Sequence, residues 1–181
     1  MTFAHDTADA LRAAVRLVNS GEEPDTLLTL ADLEEFFDDE GYTGRRPDET
    51  DLRAVRRLRP TLRRLLTSDR DAAVEIVNDL LQRAKALPRL VRHGDVDWHI
   101  HAIDDQAPLA DRVTVETAMA MIDVIRADEM SRLAICAADD CEGIVLDLTR
   151  NRSKVFCSTT CGNGAAVAAY RARQAAAGAT R

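Results

Sequence analysis

The chain has 181 residues, a net charge of −7 and an aromatic content of 4%. No apolar run approaches the ~20 residues that would span a bilayer, so we expect no membrane partner. The first six residues have neither the basic start nor the apolar stretch of a secretory signal peptide, which favours a soluble, cytoplasmic protein. Scarce aromatic side chains among many alanine, leucine and valine residues favour a mostly helical fold.

Apolar residues at helical spacing predict four helices in the first half of the chain. Thr29 and Asp32 have the spacing of a capping box at the start of the second helix, and the segment 68–71 predicts a cap at the start of the fourth. Pro60 lies inside the third helix, where a kink or a break is expected because proline has no N–H to donate. The predicted spans are 6–19, 30–40, 49–67 and 72–86.

The third predicted helix carries the densest run of basic residues in the chain. One interpretation is a nucleic-acid-binding stripe. The other is a solvated face that pairs with the acidic surplus nearby, and we favour it because arginine on an exposed helix face is common. The arginines concerned are Arg53, Arg56, Arg57, Arg59, Arg63 and Arg64.

Alternation of apolar and polar residues then predicts a β-hairpin over 89–92 and 96–101, with a turn near 94–95. His99 and His101 fall on the same face of the second strand, so they could chelate a metal ion, with His93 as a third ligand, or line a ligand pocket. The alternative, which we favour, places them on the polar side of a half-buried hairpin. The sequence contains no Ser/His/Asp constellation, phosphate-binding loop or paired-carboxylate motif, so we expect no enzymatic activity.

A fifth helix is predicted from Leu109 to about Glu129. It leads into the first cysteine without a segment rich in glycine, serine or proline. We therefore expect two units that dock against each other, a helical domain over 1–132 and a small domain over 133–181.

All four cysteines of the chain lie in the small domain, as Cys136-x4-Cys141 and Cys157-x3-Cys161. This spacing favours one structural Zn²⁺ ion with four thiolate ligands over two disulfides or unrelated thiols. Alternating side chains predict a strand over 143–149. Together with a return over 154–156 and a helix from Cys161 to about Ala177, this strand predicts a treble-clef-like zinc finger, a β-hairpin followed by a helix.

Charge is distributed unevenly between the two units. The six basic residues from Arg150 onward have no acidic counterpart. Because the whole chain carries −7 and these residues contribute +6, residues 1–149 carry −13. The C-terminal unit is therefore the part of the chain that favours a polyanionic partner.

The cysteine pairs, Asp147 to Lys154, and Cys161-Gly162-Asn163 resemble the CGNR zinc-finger family. Upstream, Trp98 to His101 and Thr117 to Ile125 resemble the ABATE domain, which precedes this finger in stress-induced transcription regulators. The resemblance implies that the finger binds DNA and that the helical domain senses a ligand or forms a homodimer. The implied phosphate-contacting residues are Arg150, Arg152, Lys154, Arg171 and Arg173.

Three positions depart from the family pattern. Gly164 stands where the fourth letter of the family name is arginine, Ala166 stands where the family often has a polar or basic residue, and Val155 stands where a basic residue is common. A missing basic residue at the start of the final helix weakens the expected contact with phosphate. The alternative function is therefore a protein-interaction or ligand-sensing module whose zinc finger is purely structural.

Overall fold

A computed structural model of the chain describes residues 3–93 and 96–178. Within these ranges, six α-helices and two antiparallel β-hairpins make up the fold. The helices are α1 (His5–Asn19), α2 (Leu30–Asp39), α3 (Glu49–Thr67), α4 (Arg70–Ala84), α5 (Leu109–Arg126) and α6 (Thr159–Gly178). The strands are β1 (Arg89–His93), β2 (Val96–His101), β3 (Leu133–Ile135) and β4 (Ile144–Leu146), and a single 3₁₀ turn spans Met130–Arg132.

Side-chain caps fix the starts of three helices, as the sequence predicts for two of them. At α2, the Thr29 hydroxyl accepts a bond from the Asp32 N–H, and the Asp32 carboxylate accepts one from the Thr29 N–H. Asp48 and Asp51 form the same reciprocal box at α3, and Asp69 caps α4. Each cap satisfies backbone N–H groups that have no partner inside the helix.

Of the two outcomes expected at Pro60, a kink or a break, the break does not occur, because α3 continues without interruption from Glu49 to Thr67. Pro60 is exposed. Because proline has no N–H, the carbonyl one turn earlier in the helix has no hydrogen-bond partner inside the helix. This carbonyl therefore lies on the solvent side, where water can hydrogen-bond to it.

Helix α5 lies at the centre of the core and contacts α1, α3 and α4. Its small residues Ala118 and Ala120 are buried, which allows close approach of the neighbouring helices. Met121 and Val124 fill the same core. As expected from the sequence, aliphatic packing between helices supplies most of the apolar burial.

The predicted first hairpin is present as β1 and β2, with Leu90 opposite Ile100. Its turn at 94–95 lies outside the described residues. His99 and His101 share one face of β2, because their Nε2 atoms lie 3.1 Å apart. Ile100 and Trp98 are exposed on the hairpin.

The second hairpin differs from the prediction in its strand pairing. Strand β4 pairs with β3, which precedes the first cysteine, and not with residues 154–156. Residues 144–146 are all buried, so the predicted alternation is also wrong here. The reason is that β4 packs against both α1 and α3, and the residue before it, Gly143, lies beside the sulfur atoms of Cys141 and Cys157.

The arginines of α3 support the interpretation of a face paired with acidic residues. Arg59 donates to both carboxylate oxygens of Asp25 at 2.9 and 3.1 Å. Arg56 reaches the same carboxylate at 3.3 Å, and Arg63 pairs with Glu22 at 2.9 Å.

None of the helices in the described part of the chain combines the length and the apolar character needed to cross a membrane.

Candidate metal centre

Two short connections and one helix start bring the four cysteines together. Cys136 directly follows β3, and Cys141 lies two residues before Gly143, after which β4 begins. Cys157 precedes α6, and Cys161 lies in the first turn of that helix. Free N–H groups and the helix dipole favour a thiolate in such a first turn.

The four sulfur atoms lie at distances that fit one zinc ion. All four lie within 4.8 Å of one another. The Sγ atoms of Cys141 and Cys157 are 3.5 Å apart, and those of Cys157 and Cys161 are 3.6 Å apart. Tetrahedral coordination with Zn–S bonds of ~2.3 Å requires sulfur atoms about 3.8 Å apart. The cysteines carry free thiols, so the geometry favours the metal over two disulfides.

Backbone groups around the sulfurs complete the site. The N–H of Gly143 points to Cys141 Sγ at 3.4 Å, and the N–H of Cys157 points to Cys136 Sγ at the same distance. A Cβ atom at Gly143 would come within 3.0 Å of Cys157 Sγ, so a residue without a side chain is required there. The peptide backbone of this loop can therefore approach the metal site closely.

The thiol pKa values show why a cation is needed. Burial opposes ionisation of Cys136, but N–H groups of Ala138 and Cys157 lower the pKa of its thiol to about 7. Burial and the neighbouring thiols of Cys141 and Cys161 raise the pKa of Cys157 well above its usual value. Zinc binds thiolates, so a bound divalent ion favours the ionised form of all four cysteines and offsets the repulsion between their negative charges. We conclude that these residues form a site for one structural zinc ion.

The metal-bearing hairpin is fixed to the helical domain by the last residue of α1. The Asn19 amide donates to the Ile144 carbonyl at 2.8 Å and accepts from the Ile144 N–H at 2.7 Å. Ile144 is fully buried in the main core. Asn19 therefore takes the place that a third strand would occupy beside β4. This role could not be predicted from the sequence, because a helix-terminal asparagine is common.

Two buried charged residues hold the chain on the other side of β4. Arg132 donates to the carbonyls of Asp147 and Thr149 at 2.9 and 3.2 Å. The Asp147 carboxylate accepts from the N–H groups of Thr149 and Lys154, both at 2.8 Å. Hydrogen bonds from Thr149 outweigh burial and lower the pKa of Asp147, so this carboxylate stays ionised at neutral pH.

The five candidate phosphate-contacting residues are all exposed. Arg150, Arg152 and Lys154 lie on the loop between β4 and α6. Arg171 and Arg173 lie on α6, about 15 and 18 Å along the axis from Cys161. Arg152 already pairs with Glu129 at 2.8 Å. The structure therefore places these residues in two groups, and their contact with DNA stays a prediction.

His99 and His101 line a cavity between α1, β2 and α5, as a ligand pocket requires. Among the described residues, the four cysteines form the one group of three or more potential ligands close enough to share a metal ion. The cavity has further polar lining residues that the sequence did not identify, among them Tyr42, Arg112 and Glu116.

The fold and the site define a helical domain followed by a four-cysteine zinc finger. Residues 132–174 match the CGNR zinc finger. Residues 11–128 match the ABATE family, described as "putative stress-induced transcription regulator". Because this second match covers more than half of the chain, the protein belongs to the ABATE family. No curated protein matches the chain.

Proposed function

We propose that this protein is a DNA-binding transcription regulator of the stress-response type, rather than an enzyme, and that it acts in the cytoplasm. The finger contacts the phosphate backbone of DNA, and the N-terminal domain senses a small ligand or forms a homodimer. Membership of the ABATE family, with a CGNR zinc finger after it, supports this assignment.

The observation that carries the proposal is the charge of the C-terminal segment. From Arg150 onward the chain has six basic residues and no acidic one, whereas residues 1–149 carry −13. A polyanion is attracted to the first surface and repelled by the second, so this asymmetry orients the protein on DNA.

The test is the salt dependence of binding to duplex DNA. Each phosphate contact contributes a slope of about −0.9 to the dependence of log K on log salt concentration. Replacing Arg171 and Arg173 together by alanine removes two contacts, so the slope becomes shallower by about 1.8. Affinity at ~0.1 M salt should fall by an order of magnitude or more.

A matched control removes the same charge from another surface. Arg53 and Arg57 are exposed on α3, so the double alanine variant at these positions has the same net charge as the α6 variant. We expect this control to leave the slope unchanged. Failure of the wild type to bind DNA at low salt, or equal effects of the two double variants, would refute contact through α6.

A gain of affinity can be tested at Gly164. A Cβ atom at this position would meet nothing within 4 Å, so a longer side chain fits without displacing a neighbour. Gly164→Arg should strengthen DNA binding and make the salt slope steeper by about 0.9. Gly164→Ala is the control, because it gives the same gain in helix propensity without the charge.

A second candidate is a protein-interaction or ligand-sensing module whose finger is purely structural. Three observations favour it: β4 lies in the main core, Arg152 is paired with Glu129, and Gly164 leaves the start of α6 without a basic residue. Under this alternative, neither the wild type nor Gly164→Arg binds DNA at low salt, although both contain one zinc ion.

A further inference from the structure

A cavity of about 390 Å³ lies between the start of α1, the segment 40–43, β2 and one face of α5. This volume falls in the range of ~300–1,000 Å³ that is typical of small-molecule sites. Its walls are partly apolar, with Ala13, Val115 and Met119 among the lining side chains. The cavity is separate from the zinc site and from the basic residues that follow Arg150.

The face of α5 that borders this cavity carries charged residues, although α5 is the central helix of the core. Arg112, Glu116 and Asp123 line the cavity and recur at the spacing of one helix face. On the other faces, Met121 and Val124 are buried among apolar neighbours. A helix that only packs has no need of charged groups on an inward face, so these residues point to a binding role.

Glu116 is the central polar group of the cavity. It lies beside the Tyr42 hydroxyl, and burial raises the pKa of Glu116 to about 7, although Arg112 and Tyr42 oppose the shift. Burial raises the pKa of Tyr42 as well, so its hydroxyl keeps its proton. A carboxylate held in these surroundings has lost favourable hydration, which a cation bound against it would replace.

The nearby arginine is committed to other partners. Arg112 is buried, and it donates to the carbonyls of Thr43 and Asp105 at 2.6 and 3.1 Å. Its guanidinium also lies over the Tyr42 ring, 5.1 Å from the centroid. The hydrogen bonds of Arg112 therefore go to backbone carbonyls, although its charge also acts on Glu116 and opposes the rise in the pKa of that carboxyl group.

Two further carboxylates on the cavity wall accept hydrogen bonds from neutral groups. Asp123 accepts from the Thr7 hydroxyl at 2.5 Å, and Asp6 accepts from the N–H groups of Thr7 and Ile100. Neutral donors leave the negative charge of both groups in place. Arg126, the other arginine of the lining, is exposed, and the remaining basic side chains of the lining are histidines. The inner walls therefore favour a positively charged ligand over an anion.

We propose that this cavity binds a small organic cation, a protonated amine with an apolar body. The ammonium group lies against Glu116, and the apolar body lies against Ala13, Val115 and Met119. This inference rests on the sensing part of the proposed function and gives it a chemical class of ligand. Binding of the amine does not require DNA, so the two proposals can fail independently.

The experiment compares three isosteric probes by titration calorimetry on the zinc-loaded full chain without DNA. They are 3-phenylpropylamine, 3-phenylpropanol and 3-phenylpropionate, which present a cation, a neutral group and an anion on the same apolar body. A charge-assisted hydrogen bond to Glu116 should give the amine at least a ~10-fold higher affinity than the alcohol. The acid should bind more weakly than either.

Glu116→Gln should reduce the affinity for the amine about tenfold, to that of the alcohol, and leave the alcohol unaffected. Glu75→Gln, the same substitution at an exposed position of α4, should change neither affinity. A preference for the acid, equal affinities for amine and alcohol, or an unchanged amine affinity in Glu116→Gln would overturn the proposal. So would the absence of binding by 3-phenylpropylamine, benzylamine and phenethylamine at millimolar concentration. DNA binding is measured separately on the same samples, so failure of one proposal is distinguishable from failure of the other.

Discussion

Replacing Asn19 by alanine tests how the zinc-bearing hairpin is attached to the helical domain. The Asn19 side chain satisfies both backbone groups of Ile144, with distances of 2.8 and 2.7 Å. Ile144 is fully buried, and β4 has α1 on the side where a third strand would pair. Asn19→Ala removes both partners at once, so an N–H and a carbonyl are left buried without hydrogen bonds.

The expected cost follows from these two groups. A buried polar group that loses its partner costs about 1–3 kcal/mol. Asn19 is half-buried, so water can reach part of the space that its amide leaves. We therefore expect the free energy of unfolding to fall by about 2–4 kcal/mol in total. For a chain of this size the melting temperature falls by roughly 2–4 °C per kcal/mol, which gives a decrease of about 5–15 °C.

The assay is urea denaturation of zinc-saturated protein, followed by circular dichroism, with zinc content measured in the same samples. Asn78→Ala is the matched control, because Asn78 is exposed on α4. A surface substitution of this kind changes stability by about 0.5 kcal/mol or less. If Asn19→Ala costs no more than Asn78→Ala, the asparagine does not hold β4 in the core.

Three further predictions concern the metal and the cavity. Cys157→Ser should abolish zinc binding, and the backbone amides of α6 should lose their protection from hydrogen exchange. The amides of β4 should stay protected from exchange, because this strand lies in the main core. Full zinc content in the variant would contradict this prediction. Gly143→Ala places a Cβ atom 3.0 Å from Cys157 Sγ, so the zinc affinity should fall about 10- to 100-fold in a chelator competition assay. The control is Gly164→Ala, which should leave the zinc affinity unchanged because the added Cβ atom meets nothing within 4 Å. Burial raises the pKa of Glu116 from 4.5 to about 7, so the folded state binds more protons and wild-type stability falls as pH rises through this window. Glu116→Gln lacks this loss, so its stability relative to wild type should rise by about 3 kcal/mol between pH 4.5 and 8. A difference that does not vary with pH would contradict the raised pKa of Glu116.

Local chemistry explains which parts of the fold the sequence predicts. The starts of α2 and α4 depend on side chains that bond to backbone groups three residues away, at Thr29 and Asp69. Four cysteines at short spacing likewise identify the zinc ligands without any knowledge of the fold. In each case the partners are close in the chain, so the sequence pattern contains the interaction.

The pairing of β4 could not be predicted in this way. Residues 154–156 and residues 133–135 are both short and partly apolar, so neither pattern distinguishes the partner strand. The choice depends on the loop from Cys136 to Cys141, which turns the chain so that β3 and β4 meet. Residues 154–156 instead contribute one carbonyl, which accepts a bond from Ala137 at 2.9 Å.

The polar residues of the cavity escaped prediction for a different reason. Arg112 and Glu116 are four residues apart on a helix, a spacing typical of exposed ion pairs on a solvated face. Their inward orientation depends on α1 and β2, and on Tyr42, which lies 70 residues before Arg112 in the chain. Charge pattern alone cannot separate a surface pair from two groups that face a cavity.

Helix α1 connects the cavity with the zinc-bearing hairpin. Its first three turns line the cavity, and its last residue, Asn19, holds Ile144 of β4. A ligand that shifts α1 along or about its axis therefore acts directly on the hairpin that carries two of the zinc ligands. If an amine in the cavity changes DNA affinity through this path, DNA must change amine affinity by the same factor, because coupling between binding sites is reciprocal. Asn19→Ala should reduce the coupling factor between amine and DNA binding towards one. Amine binding itself should persist, because the substitution lies about 9 Å beyond Ala13, the last α1 residue that lines the cavity. An undiminished factor in this variant would mean that α1 is not the connection.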